Sequence, residues 1–272
     1  MRAPAARARL ARGSQPCATC LTDAEWALVE PFPPAAAATG RPWSWPMRQV
    51  ADGILRVLRT GCAWAHPPRD FPPPGTVHRR FLRLPRRGAV ERLAHALAMA
   101  DRERVGREAS PAAAVLDARS ARSGGVGVKG TRGYDAGRKA SGRRRHALVD
   151  TDGRLLLAAV SPACLHNSRG GAALLAMSRR PWPLLVRCFA DHAHAGPRVA
   201  RASPVAVTLL GRPPAQKGFA VQPRRWVVER SFAWCGRCPR PARDHEATAS
   251  SAVAFLTLAP AMILVRRLAQ PL

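Results

Sequence analysis

The sequence predicts an α/β protein in which a small all-helical region precedes a mixed sheet covered by helices. Three observations predict it. Up to about residue 105 the apolar positions recur at helical spacing, and from Pro111 onward they change to short runs of strand length. Two of those runs deliver a carboxylate, Asp117 and Asp191, and a later helical stretch offers a third acid, Glu229. With 272 residues the chain is long enough for two domains of ordinary size.

Residues 1–20 are rich in Arg and Ala without a hydrophobic period and read as a disordered basic leader. Thr22 and Glu25 have capping-box spacing, Trp26 and Val29 follow on one face, and Pro31 stops the helix. Val50, Ile54, Val57 and Leu58 mark an amphipathic helix that ends at Gly61. After a Pro-rich turn, Thr76 is expected to cap a short helix with Val77, Phe81 and Leu84 inside and Arg79, Arg80 and Arg83 outside. A last helix over residues 90–100 closes a region, residues 21–105, with the layout of a helix-turn-helix module. Its arginine-bearing helix is the one best suited to DNA, with Arg79 and Arg80 as contacts. The same pattern also suits a plain helical bundle with solvated arginines.

In residues 110–268 the run PAAAVLDARS reads as a buried strand ending at Asp117, followed by a Gly- and Arg-rich loop over residues 120–145. Residues 146–150 and 155–160 are two strands joined at Asp152-Gly153, a hairpin turn signal. Residues 171–179 are helical, residues 184–190 form a strand that delivers Asp191, and residues 205–210 form a fifth strand. A loop over residues 211–222 leads to PRRWVVERSFAWCGRCPR, where Val228, Phe232 and Cys235 make an apolar helical stripe with Glu229 beside it. Arg225 precedes Glu229 by four residues and Arg237 follows it by eight. The simplest account of that arrangement is a surface ion pair.

Lys and Arg number 44 against 17 Asp and Glu, a formal net charge of +27 that points to a polyanionic partner. The excess is nearly all arginine, which a GC-rich coding source raises everywhere, so charge supports a nucleic-acid partner without proving one. Seven cysteines with no dense framework fit a reducing cytoplasm. No signal peptide is expected, and the apolar run 252–265, shorter than a membrane span and interrupted by Pro260, reads as a packing helix.

Acids beyond the carboxyl ends of neighbouring strands share one rim of a sheet, where open α/β folds place their sites. Asp117, Asp191 and Glu229 gathered there would repel one another unless hard divalent cations intervened. Mg²⁺ or Mn²⁺ takes oxygen ligands, and two such ions about 3.5–4 Å apart suit phosphodiester displacement. Arg225, Arg237 and the basic run Arg138, Lys139, Arg143 and Arg144 would then grip phosphates. Spacing alone leaves the alternative that these are ordinary strand-end aspartates.

The segments LTDAEWALVEP, RTGCAW, ASPAAAVLDARS, RGYDAGRKASGRRRHALVDTDGRLLLAAV, CFADHAHAG and KGFAVQPRRWVVERSFAWCGRC together resemble the bacterial insertion-sequence transposases with an Asp-Asp-Glu triad, of the insertion sequence five type. The similarity runs from about Leu21 to Leu268. It implies a ribonuclease-H-like mixed sheet flanked by helices behind an N-terminal helix-turn-helix-like DNA-binding domain. It also implies Asp117, Asp191 and Glu229 as catalytic metal ligands, two Mg²⁺ or Mn²⁺ ions, and metal-dependent strand cleavage and transfer. The implied partners are double-stranded DNA, both element ends and target, and further copies of the chain when two ends are paired, all in the cytoplasm at the nucleoid. Arg225 matches a basic position of the family, and Arg237 falls one place later than usual. The chain departs from the family after Asp191, where His192, Ala193 and His194 stand in place of Gly-Tyr. A non-catalytic DNA-binding remnant or repressor is the alternative.

Other signals compete less well. Cys17-x2-Cys20 and Cys235-x2-Cys238 have zinc-ligand spacing, yet the first pair lies in the leader and Cys235 lies on the packing stripe. His192 and His194 beside Asp191 lack the partner motif of a zinc hydrolase. Trp226, Phe232 and Trp234 suit core packing better than base stacking.

Overall fold

The computed structural model describes residues 17–35, 43–123, 131–211 and 225–270. The expected leader over residues 1–20 and the expected loop over residues 211–222 fall largely outside these.

Thr22 starts α1 (Asp23–Val29) with a reciprocal capping box: its hydroxyl accepts from the Glu25 N–H at 3.2 Å, and the Glu25 carboxylate accepts from the Thr22 N–H at 2.9 Å. Helix α2 (Met47–Thr60) buries Val50, Ile54, Val57 and Leu58 and stops at Gly61, whose φ of 71° is left-handed. Helix α3 (Pro74–Arg86) begins two residues before the expected cap Thr76. Pro74 occupies the first turn, where its missing N–H is not required and its fixed φ is already helical. Helix α4 (Ala89–Glu103) completes this region.

The sheet is built from β1 (Ala113–Arg122), β2 (Gly133–Asp135), β3 (Ala140–Asp150), β4 (Leu155–Pro162), β5 (Arg187–Asp191) and β6 (Ala206–Leu210). Strand β3 is antiparallel to β1, β4 and β2, whereas β5 is parallel to β1 and to β6, giving the order β4–β3–β1–β5–β6 with β2 on the same edge of β3 as β4. This meets the expectation of a ribonuclease-H-like mixed sheet.

Within the expected loop over residues 120–145 the described residues are mostly sheet: β1 continues to Arg122, β2 covers Gly133–Asp135 and β3 begins at Ala140. In this stretch the Arg143 side chain is inside the protein and paired with Asp244 at 2.8 Å. A charged residue thus occupies a core position that an apolar one normally marks.

Helix α5 (Asn167–Ser178) follows β4, the short α6 (Pro197–Ala202) joins β5 to β6, and α7 (Arg225–Gly236), α8 (Pro239–Ala242) and α9 (Ala249–Leu268) close the chain. One sheet face, with Leu116, Leu148, Cys188 and Ala190, belongs to a cluster that also holds Leu174 and Leu175 of α5, Phe255 and Val265 of α9, and the apolar stripes of α2, α3 and α4. The other face, with Val115, Ala147, Val149 and Phe189, packs against Val227, Val228 and Phe232 of α7. Helix α9 is long and apolar enough to cross a membrane, but 67% of its apolar window is buried within the protein.

Ion pairs lock α4, the β3–β4 turn and α9 together. Asp101, wholly buried, lies 2.7 Å from Arg154 and 2.8 Å from Arg267, and Asp150, also buried, lies 2.6 Å from Arg102 and 3.0 Å from Arg154. Burial opposes ionisation of Asp101, yet the guanidinium groups of Arg154, Arg104 and Arg267 hold its carboxyl below the usual carboxylate range.

Candidate active site

The parallel ladder between β1 and β5 runs from Ala113↔Arg187 to Leu116↔Ala190 and stops there. The next residue on each strand is an aspartate, Asp117 and Asp191. Strand β1 continues beside β3 as far as Arg122↔Gly142, whereas β5 ends at Asp191, still paired with Leu210 of β6. The two acids therefore flank a fork between neighbouring strands, which are spaced about 4.8 Å apart in a sheet. Asp117 is not at the end of its strand, as expected, but at the end of one of its two ladders.

Side-chain alternation places the acids on one face. Val115 and Phe189 each precede an aspartate by two residues, and both pack against α7, so Asp117 and Asp191 belong to the α7 side of the sheet. Both are half-buried. The Asp117 carboxylate accepts the Ala118 N–H at 2.8 Å, and Asp191 Oδ1 lies 2.7 Å from Nδ1 of the buried His194.

Glu229 lies on α7, exposed, at the edge of the stripe formed by Val227, Val228 and Phe232. The β3–β4 turn pins the middle of this helix: Ser231 Oγ donates to the Gly153 carbonyl at 2.8 Å, and Arg230 donates to the Asp152 carbonyl at 2.7 Å. Gly153 is required here, because its φ is +89° and a Cβ would stand 2.9 Å from Ser231 Oγ. Trp226 and Trp234 hold the Arg230 guanidinium at 4.4 and 4.9 Å, and Phe232 is core. Among the described residues no three His, Cys, Asp or Glu side chains come close enough to share one metal ion. The structure thus sets Asp117 beside Asp191 and places Glu229 on the helix that covers the same face of the sheet. The four-cysteine arrangement is not formed among the described residues.

The basic residues divide into two groups. Arg143, expected to grip phosphate, is buried; besides Asp244 it donates to the carbonyls of Thr131, Glu246 and Ala247. Arg144, expected in the same role, pairs with Asp135 at 2.7 Å and is largely enclosed. Both are structural in this fold, because each guanidinium is spent on a carboxylate inside the protein. Arg138 and Lys139 are exposed in the β2–β3 turn, Lys139 with a left-handed φ of 47°. Arg237 is exposed one residue past the end of α7, so it does not continue that helix. Arg225 opens α7, and its side chain lies outside the described residues.

On α3, Arg79 is exposed, and Arg80 stacks 3.3 Å from the centre of the Trp43 ring, its Nη1 lacking a hydrogen-bond partner among the described residues. Arg80, Arg83, Arg86, Arg87, Trp43 and Leu84 line a groove of about 620 Å³, and no acid of the described residues lines it with them. Burial, and then the charge of Arg83, hold the Arg80 guanidinium below its ordinary value.

Two further residues, not assigned to the site from the sequence, stand near the aspartates. Arg119 follows Asp117 by two on β1, exposed on the same face, opposite Arg145 on β3. The spacing Asp-x-Arg carries this signal once the strand is read past Asp117. His194, at the third position after Asp191, is the other.

A family model described as the transposase DDE domain matches residues 108–264, and one described as transposases of the IS4/5 family matches residues 21–94. No curated protein and no solved structure matches the chain.

Proposed function

The chain belongs to the transposases with a DDE domain, and we propose that it cleaves DNA strands at the ends of an insertion-sequence element and transfers them to a target. The observation that carries this reading is the pair Asp117 and Asp191 at the fork between β1 and β5. Two carboxylates on adjacent strands repel, and their oxygens are the donors that hard divalent cations prefer, so the pair suits Mg²⁺ or Mn²⁺. Glu229, on the helix covering the same face, is assigned as the third ligand. A cation held there supplies Lewis acidity toward the phosphodiester and toward an attacking oxygen.

The protein's own residues bind and orient the DNA. Arg119 stands two residues from Asp117 on the reacting face and is suited to hold a phosphate beside it. Arg138, Lys139, Arg225 and Arg237 extend the basic surface. The Arg80–Arg83–Arg86–Arg87 groove of the helical region is suited to a phosphodiester backbone, because it is concave and its charged lining, among the described residues, is wholly basic. Two copies of the chain would hold two element ends, in the cytoplasm at the nucleoid.

The test compares Asp117→Asn, Asp191→Asn and Glu229→Gln with the parent chain on an oligonucleotide carrying an element end, with Mg²⁺ or Mn²⁺. Each amide is expected to lower cleavage by at least about 10²-fold while DNA binding persists. Cleavage at the parental rate by either aspartate variant overturns the assignment. Binding without cleavage by the parent chain supports a non-catalytic remnant instead.

A further inference from the structure

We propose that His194 is a positioning residue for Asp191: its ring anchors one carboxylate oxygen and so fixes the plane in which that carboxylate meets a cation. The inference rests on the reading of Asp191 as a metal ligand.

His194 closes the single helical turn, His192–His194, that follows β5 directly. Its Nδ1 lies 2.7 Å from Asp191 Oδ1, and the side chain is wholly buried. The ring is admitted by a glycine on the facing helix: a Cβ at Gly171 would stand 2.6 Å from His194 Cδ2 and 3.1 Å from Leu116 Cδ2. A side chain at position 171 would therefore displace the imidazole from its present position against Asp191.

The other ring nitrogen, Nε2, is buried without a hydrogen-bond partner among the described residues. A buried polar atom left unsatisfied is destabilising. A side chain that served only to fill this space would gain by being apolar. The imidazole is therefore accounted for by the bond from its other nitrogen, to an aspartate at the fork. With Nδ1–H donating, Oδ1 is held and rotation of the carboxylate about its last bond is restricted. Less freedom is then lost when a cation is captured, the same effect that hydrogen-bonded partners of ligating groups have in metal sites.

The experiment measures Mn²⁺ binding to the full chain without DNA, by calorimetry, together with the melting temperature. His194→Leu keeps bulk and removes the donor, and His194→Asn offers an amide N–H near the position of Nδ1. The expected result is Mn²⁺ affinity about 10- to 100-fold weaker in His194→Leu and largely restored in His194→Asn, at similar melting temperatures. Gly171→Ala, which keeps the imidazole but displaces it, is expected to weaken Mn²⁺ as well, and it serves where His194→Leu does not fold. If Asp191→Asn loses Mn²⁺ while His194→Leu or Gly171→Ala binds as the parent does, the positioning role is overturned and the metal assignment stands. If Asp191→Asn itself binds Mn²⁺ as the parent does, Asp191 is not a ligand and the inference falls with that reading.

Discussion

His146 is buried on β3, with Nε2 2.9 Å from Ser161 Oγ and Nδ1 without a partner among the described residues. Burial first, and then the charges of His194 and Arg144, push its imidazole down to about 4. The unfolded chain therefore takes up this proton more readily than the folded one between about pH 6.5 and pH 4. The contribution is complete above pH 6.5 and is lost as pH falls toward 4, amounting to roughly 3 kcal/mol at most. Denaturant unfolding measured across that range should show a steep loss of stability in the parent chain and a shallower one in His146→Gln; equal slopes would refute the account. Arg143→Ala should destabilise by about 3–5 kcal/mol, because Asp244 is left buried without its guanidinium partner. Equilibrium unfolding checks this, and a change below about 1 kcal/mol would place Arg143 at the surface after all. In the sequence Arg143 and Arg144 look the same as Arg138 and Lys139, since all four lie in one basic run. What sets Arg143 apart is a partner 101 residues away, Asp244, and what sets Arg144 apart is Asp135 on the neighbouring strand; no local pattern reports either pairing.

Among the elements, α7 and the β3–β4 hairpin set where Glu229 stands. Gly153→Val would force a β-branched residue into a left-handed conformation and drive its Cβ against Ser231. Its expected effect is a loss of roughly 2 kcal/mol of stability together with slower cleavage, and assays of unfolding and cleavage on one preparation would show whether the two move together. The hairpin itself was legible, because Asp152-Gly153 between two apolar runs is a strong local signal. So were the capping box of α1, the stripe of α7 and Asp191 at the end of β5. The long arms of β1 and β3 were not, because their inward positions carry arginines and small residues where a strand pattern is normally recognised by branched apolar ones. Asp101→Asn, at the centre of the ion pairs joining α4, the hairpin and α9, should cost about 3–5 kcal/mol, read as a drop in melting temperature.

At the scale of the molecule, the formal net charge is +27. Asp101, Asp135, Asp150, Asp244 and Glu246 are buried in ion pairs with arginines, so the excess positive charge rests on arginines outside these pairs. DNA affinity should fall steeply with salt, and replacing Arg80 and Arg83 together by alanine should reduce the slope of log K against log salt by about 1 for each phosphate no longer neutralised. An unchanged slope would put the DNA path elsewhere. Arginine content by itself could not show this, since the same composition supplies both the buried clamps and the basic groove.

The helix α9 shares its core with the first four. During synthesis the helical region therefore waits for the carboxyl-terminal segment to leave the ribosome before its apolar stripes are covered. A stop codon upstream of residue 249 removes that cover, Leu258 and Met262 included. Copies of such a gene that decay by truncation would leave products prone to proteolysis, and a copy retained as a binding protein would have to keep its reading frame nearly to the end.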